Sequence, residues 1–182
     1  VAITAGKLGI GFTDNNVKIG STALDALTTG VQNTAVGHAA LSDNTTGTQN
    51  TAVGSLALDA NTTTNNNSAF GHAALGANNG GSQNTALGSQ AMLANTTGSD
   101  NVAVGMNALV ANTTADDNTA VGFVALTANT TGANNTAVGS KALDANTTAN
   151  NNTAIGADAL SANQTGTGNI AVGAFSLDAN TT

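Results

Sequence analysis

The stretch Asn135–Asp144 reads Asn-Thr-Ala-Val-Gly-Ser-Lys-Ala-Leu-Asp, and Ala-Asn-Thr-Thr follows it at 145–148. Asn152 restarts the stretch as Asn-Thr-Ala-Ile-Gly, seventeen residues after Asn135. The same signature recurs at this spacing with no insertion or deletion. It begins at Asn33, Asn50, Asn67, Asn84, Asn101, Asn118, Asn135, Asn152 and Asn169, with a degenerate copy at Asn16. A short, fixed period is typical of a solenoid, in which each unit stacks on its neighbour.

The strict register of the repeat predicts which kind of solenoid forms. Loops of a globular domain gain residues at little cost, whereas stacked β-coils must keep each side chain above its predecessor. We therefore expect an all-β fold, a β-solenoid or parallel β-roll with one 17-residue coil per repeat. Residues 16–182 are expected to form ten coils, and residues 1–15 N-terminal capping strands that cover the exposed edge. A spacing of about 4.8 Å per coil predicts a rod of roughly 48 Å.

The side-chain pattern within one coil predicts two strands. Positions are counted from the signature asparagine, so that Ala35, Val36 and Gly37 occupy positions three, four and five. We interpret positions two to four and eight to eleven as strands, with a bend at the glycine. The columns of Val36 and Leu41 are expected to meet inside the coil, and Ala35 to lie on the outer side. Asparagines at position twelve are expected to form an amide ladder.

An outer face of alanine and glycine would leave a long apolar strip exposed on a lone rod. We therefore expect the chain to associate with itself as a homotrimer that buries this strip around its axis.

The composition excludes several classes of partner. Charged residues make up 7% of the chain, the net charge is −7, and lysine and arginine together number three. No basic stripe for nucleic acid can be assembled from them, and no apolar run is long enough to insert into a membrane. The first residue is Val1, which predicts a processed product or a part of something longer.

Disorder and helical repeats are the competing structural interpretations. Regularly spaced valine and leucine argue against disorder, although asparagine, threonine and glycine are abundant. Glycine at position five and the Asn-Thr-Thr run interrupt any helix after about ten residues, fewer than an isolated helix needs.

The unit Asn-Thr-Ala-Val-Gly-x-x-Ala-Leu-x-x-Asn-Thr-Thr-Gly resembles the repeat shaft of bacteriophage tail fibres. More loosely, it is similar to the head of trimeric autotransporter adhesins, whose shorter repeat contains a similar strand and folds as a left-handed parallel β-roll in a trimer. The resemblance covers 16–182, but the coil is longer here and has an extra Asn-Thr-Thr turn. It implies an extracellular location, on a virion tail fibre or a bacterial cell surface, and a host receptor or glycan as a partner.

Chemistry-bearing residues are sparse. No nucleophile, base and acid stand together, so we expect no enzyme and no cofactor. Asp100 and Asp117 share position seventeen in successive coils, and Asp116 lies beside them. Calcium would relieve their repulsion, but the calcium-roll motif is missing, which favours a solvated acidic turn. The candidate receptor contacts are variable outward residues: Phe123, Lys141, Asp158 and Phe175.

The sequence thus predicts a non-enzymatic structural or adhesive segment of an extracellular trimeric fibre. One alternative is a self-assembling extracellular filament. The other is an ice-binding solenoid, because threonines form rows at positions two, thirteen and fourteen. Against ice binding, adjacent threonines do not share a strand face. The occurrence of Val102 and Ile170 at position two also favours a buried row there.

Overall fold

The structure is a computed structural model that describes residues 10–13 and 15–182. These residues form an eleven-stranded sheet in which the spatial order of the strands follows the sequence. From the second strand, β2 (Asn16–Ile19), onward the strands are parallel and build a β-solenoid of about nine turns, with roughly 17 residues in each turn. The predicted all-β solenoid fold is confirmed.

The strands are short, and each from β3 to β11 has three residues. Their bounds are β1 Ile10–Thr13, β2 Asn16–Ile19, β3 Thr34–Val36, β4 Thr51–Val53, β5 Ser68–Phe70, β6 Thr85–Leu87, β7 Val102–Val104, β8 Thr119–Val121, β9 Thr136–Val138, β10 Thr153–Ile155 and β11 Ile170–Val172.

The first strand differs from the others in direction. It pairs antiparallel with β2, so that Gly11 lies opposite Lys18. This strand covers the edge that β2 would otherwise expose, in the segment where capping strands were expected. The remainder of the expected cap, residues 1–9 and 14, lies outside the described residues.

Backbone hydrogen bonds connect neighbouring coils at the strands and also at the turns. Thr34 pairs with Thr51 in the sheet. In the turns, Leu41 N donates to Ala57 O at 3.0 Å and Thr45 N donates to Thr62 O at 2.8 Å. Every coil therefore lies directly over the next, and the predicted alignment of valines in one column is confirmed.

The predicted inner and outer faces of the strand are wrong. The leucine column is inside as expected, and Leu41 has 0% exposure, but Ala35 also has 0% exposure and belongs to the same core. The position-four side chains lie outside, where Phe70 is 40% and Leu87 49% exposed. The interior is narrow, and the alanine methyl group is the side chain of the strand that packs with leucine there.

The predicted second strand at positions eight to eleven is also wrong. Two consecutive turns replace it: Ala40 N donates to Gly37 O at 3.5 Å, and Asn44 N donates to Leu41 O at 3.3 Å. Ala39 and Leu41 have φ values of 54° and 51°, which are left-handed and incompatible with an extended strand. Such values are costly for residues other than glycine, and the intercoil hydrogen bonds at these turns offset that cost.

The predicted amide ladder at position twelve is confirmed. From Asn61 to Asn163, the side chain of the position-twelve asparagine donates through Nδ2 to Oδ1 of the asparagine in the preceding coil, as in Asn61 to Asn44 at 2.9 Å and Asn112 to Asn95 at 2.8 Å. These side chains are fully buried. The same Nδ2 also reaches the carbonyl three residues later, at 3.0 Å from Asn112 to Ala115. Buried amides are thereby satisfied along the rod.

A second asparagine column, at position one, was not predicted as an internal element. Asn33 Nδ2 donates to Gly47 O at 2.8 Å, and its Oδ1 accepts a hydrogen bond from Asn50 N at 3.0 Å. The side chain thus bonds to the backbone of its own coil and to that of the next coil. This explains why the signature begins with asparagine, since the interior needs a buried donor and acceptor there.

Glycine at position five allows a close approach between neighbouring coils. Gly122 has a φ of 143°, and a Cβ added to it would lie 2.3 Å from Gly139 O. Both the conformation and the contact therefore exclude a side chain.

We predict that Gly122→Ala destabilises the protein by on the order of 3 kcal/mol, because it combines a forbidden φ with a backbone clash in a central coil. Urea unfolding followed by circular dichroism measures this loss. The control is Gly80→Ala, at a position that carries threonine in most coils, where the nearest atom to an added Cβ is a flexible Thr97 methyl. The control should be neutral or stabilising by up to about 1 kcal/mol. Equal losses in both variants would contradict this account of the glycine.

We predict a larger, pH-dependent effect for Asn112→Asp, which keeps the shape of the side chain. The carboxylate would direct oxygen toward two acceptors, Asn95 Oδ1 and Ala115 O, in a fully buried site. The expected loss at neutral pH is about 3 kcal/mol or more. Burial raises the pKa of a carboxyl, and the protonated group can donate one hydrogen bond, so stability should recover in part as the pH falls.

The matched control for this variant is Asn134→Asp. Asn134 is exposed in a left-handed turn with a φ of 58°, and Asp100 and Asp117 occupy the same position with the same φ. The control should change the free energy of unfolding by less than about 0.5 kcal/mol. Unfolding curves at neutral and acidic pH compare the two variants, and a tolerated Asn112→Asp would show that the ladder contributes little.

Candidate functional site

The four predicted receptor contacts lie along one edge of the rod in successive coils. Phe123 is at position six, and Lys141, Asp158 and Phe175 are at position seven of the next three coils. Lys141 N donates to Phe123 O at 3.0 Å, which places these two residues in adjacent coils at the same turn. Phe123 is 47% and Phe175 63% exposed. The structure therefore brings the four together on one surface.

Sequence reasoning did not name one further member of this surface. Met106 is 47% exposed at position six of the coil before Phe123, and Val124 N donates to its carbonyl at 3.1 Å. Its position in the repeat was the available signal, because it is the one that Phe123 occupies in the next coil. We call Met106, Phe123, Lys141, Asp158 and Phe175 the turn-edge patch.

Charges cluster at the centre of the turn-edge patch. Burial raises the pKa of the Asp144 carboxyl, the negative charge of Asp158 raises it further, and the Lys141 ammonium lowers it. These three side chains are thus close enough to influence one another. The patch offers one cation, one carboxylate and two aromatic rings to a ligand, and the Asp144 carboxylate lies beside it.

The three acidic residues considered for calcium do not converge. Asp116 Oδ1 accepts a hydrogen bond from Ser99 N at 2.7 Å, so this side chain supports the preceding coil. Asp100 and Asp117 are exposed to solvent in left-handed turns. Within residues 10–13 and 15–182, no group of three or more acidic, histidine or cysteine side chains is placed to hold a metal ion.

The outward side chains at positions two and four of β3 to β11 form a second surface, which we call the sheet face. Most are partly exposed, whereas the alanine between them is buried in every one of these strands. The assignment of position two to a buried row, on which the argument against ice binding rested in part, is wrong. Threonine and an apolar residue instead alternate with buried alanine, so both face outward together.

The paired threonines at positions thirteen and fourteen behave differently from each other. Thr45 Oγ1 donates to Thr62 O at 3.0 Å, and Thr130 Oγ1 donates to Thr147 O at 3.1 Å. In these coils the hydroxyl at position thirteen is therefore hydrogen-bonded to the backbone of the next coil. The neighbouring threonines at position fourteen, Thr46 and Thr131, are exposed. The two threonines of a pair therefore do not form one row. This agrees with the expectation that adjacent threonines do not share a face.

No helix in the described part of the chain has the length and apolar character needed to cross a bilayer. Comparisons with models of protein families, with curated proteins and with solved structures found no match to this chain.

We predict that Asp144→Asn stabilises the protein at neutral pH by less than about 1 kcal/mol, since solvent screens this partly exposed group. The folded-state pKa of Asp144 is raised, so its ionised form weakens the fold above that pKa. The advantage of the variant should shrink as the pH falls and the native carboxyl becomes protonated. Thermal melts across this pH range measure it, and Asp117→Asn controls for the lost charge. A variant less stable than the native chain at neutral pH would contradict the prediction.

Proposed function

We propose that this chain is a non-enzymatic structural and adhesive segment of an extracellular trimeric fibre, either a bacteriophage tail fibre or a bacterial surface adhesin. The rod holds a binding tip away from a surface or contributes to host attachment itself. The supporting observation is the unbroken stack, in which each coil from β2 to β11 is bonded to its neighbours in the same register. The ten parallel strands β2 to β11 have nine spacings of about 4.8 Å between them, which keeps the two ends roughly 43 Å apart.

The turn-edge patch is the surface that best fits attachment to a host receptor or glycan. It combines exposed aromatic rings with charges of both signs, which are features of binding surfaces. In a trimer the patch would occur three times, and multivalency would strengthen a weak contact. The alanines of the strip that suggested a trimer lie inside the coil, so a trimer must use another surface.

The alternative of an end-to-end filament has less support. A second copy stacking on β2 would have to displace β1, which already pairs along that edge. The fibre proposal needs no such rearrangement because its chains lie side by side.

Immunogold electron microscopy of the particles or cells that produce the chain tests the fibre proposal. Antibodies raised against the purified protein should label fibres that project from the surface, and their Fab fragments should reduce attachment to the host by at least tenfold. Label confined to the cell interior would refute the proposal. Pre-absorbing the antibodies with the purified protein is the control, because it should abolish the labelling.

Ice binding is the second candidate function, favoured by one observation. The sheet face presents partly exposed Thr119, Thr136 and Thr153 beside outward Val121, Val138 and Ile155 in successive coils. Such rows repeat about every 4.8 Å and could order water in a regular array. The purified protein should then show thermal hysteresis that Thr136→Glu abolishes and the exposed Thr148→Glu of the same coil does not. Absence of hysteresis at millimolar concentration would exclude this function.

A further inference from the structure

The sheet face runs along nine successive coils of the rod, and it carries no charge. Positions two and four of β3 to β11 contain only threonine, serine, valine, isoleucine, leucine and phenylalanine. We propose that this face packs against the same face of a second copy of the chain, with the two rods side by side. The inference goes beyond the proposed fibre function: contact through one shared face is two-fold and joins the chains in pairs, whereas three chains around one axis need two different contact surfaces on each chain.

The distribution of charge favours this pairing. The chain has a net charge of −7, and its copies repel one another wherever the acidic residues approach. The aspartates of residues 15–182 all lie outside positions two and four of these strands, as at the turns of Asp59, Asp100 and Asp158. Two copies that meet through the sheet face therefore keep the acidic turns away from the contact.

The exposed apolar groups also favour a protein partner. Phe70 is 40%, Leu87 49% and Ile155 42% exposed on this face, although the core of the same coils fully buries an apolar side chain of similar size: Leu75, Met92 and Leu160. Phe70 and Leu87 are larger than the valines beside them in the column, which makes the surface uneven. Side chains of a facing sheet can interdigitate with such projections, whereas a flat ice surface cannot.

The available area indicates how strong the pairing is. Nine strands at about 4.8 Å and three residues at about 3.3 Å give a face of roughly 430 Å² per copy, or about 860 Å² for the pair. This is below roughly 1,200 Å², the lower end of the range of total area that stable interfaces bury. Association of the free chains should therefore depend on concentration, while chains held in one fibre have a high effective concentration.

Sedimentation equilibrium of the purified chain over a range of concentrations tests the pairing. The native protein should shift from the mass of one chain to at least twice that mass. Val104→Glu combined with Val138→Glu, which places charges on the sheet face in two separate coils, should weaken association at least tenfold. The matched control is Thr114→Glu with Thr148→Glu, two exposed residues of the same coils outside the sheet face, which should associate like the native chain.

Circular dichroism and melting temperatures establish that both double variants fold. If the valine variant does not fold, Thr119→Lys places a charge on the same face and should have the same effect on association. A native chain that remains single at millimolar concentration would overturn the proposal, as would equal association of the two double variants. Thermal hysteresis of a single chain that is lost in the sheet-face variants would identify an ice-binding surface instead. None of these outcomes changes where antibodies find the chain, so the fibre proposal is tested separately.

Discussion

The structure depends on the close stacking of equivalent coils. Buried asparagine side chains hydrogen-bond to the backbone and so take part in this stacking. Because neighbouring coils are only about 4.8 Å apart, the backbone cannot accept an inserted residue and the interior cannot accept a larger side chain. Asn33 and its equivalents as far as Asn152 bond to the backbone of two coils, and Asn61 and its equivalents bond to one another along the rod. A buried polar group is costly unless it is paired. Each asparagine therefore stabilises the fold only while the next coil keeps the same register.

The same constraint determines which residues face the solvent. Because leucine and two asparagine columns fill the interior, the strand can contribute only alanine to it. The larger strand residues lie on the outside, which gives the rod an apolar, uncharged sheet face along most of its length. The acidic residues and the turn-edge patch lie at the turns. The proposed functions use these two surfaces differently, one for association between copies and the other for attachment.

Much of the fold could be predicted from the sequence, whereas the candidate surfaces could be predicted only in part. The seventeen-residue period identified the solenoid, and the recurring Asn-Thr-Thr identified the amide ladder. Phe123, Lys141, Asp158 and Phe175 were named from their variable positions, but their grouping on one edge depends on the turns that replace the expected second strand. Leu41 and Ala39 adopt left-handed conformations that their residue types disfavour, so no local signal indicated those turns.

The sequence by itself determined the period, the register of the coils and the fact that Ala35 and Val36 lie on opposite faces of a strand. It did not determine which of these faces is internal, because alternation along a strand is the same for either choice. Only the closed coil decided this. Its circumference is too small to enclose valine as well as leucine and the asparagine amides, so alanine lies inside and valine outside.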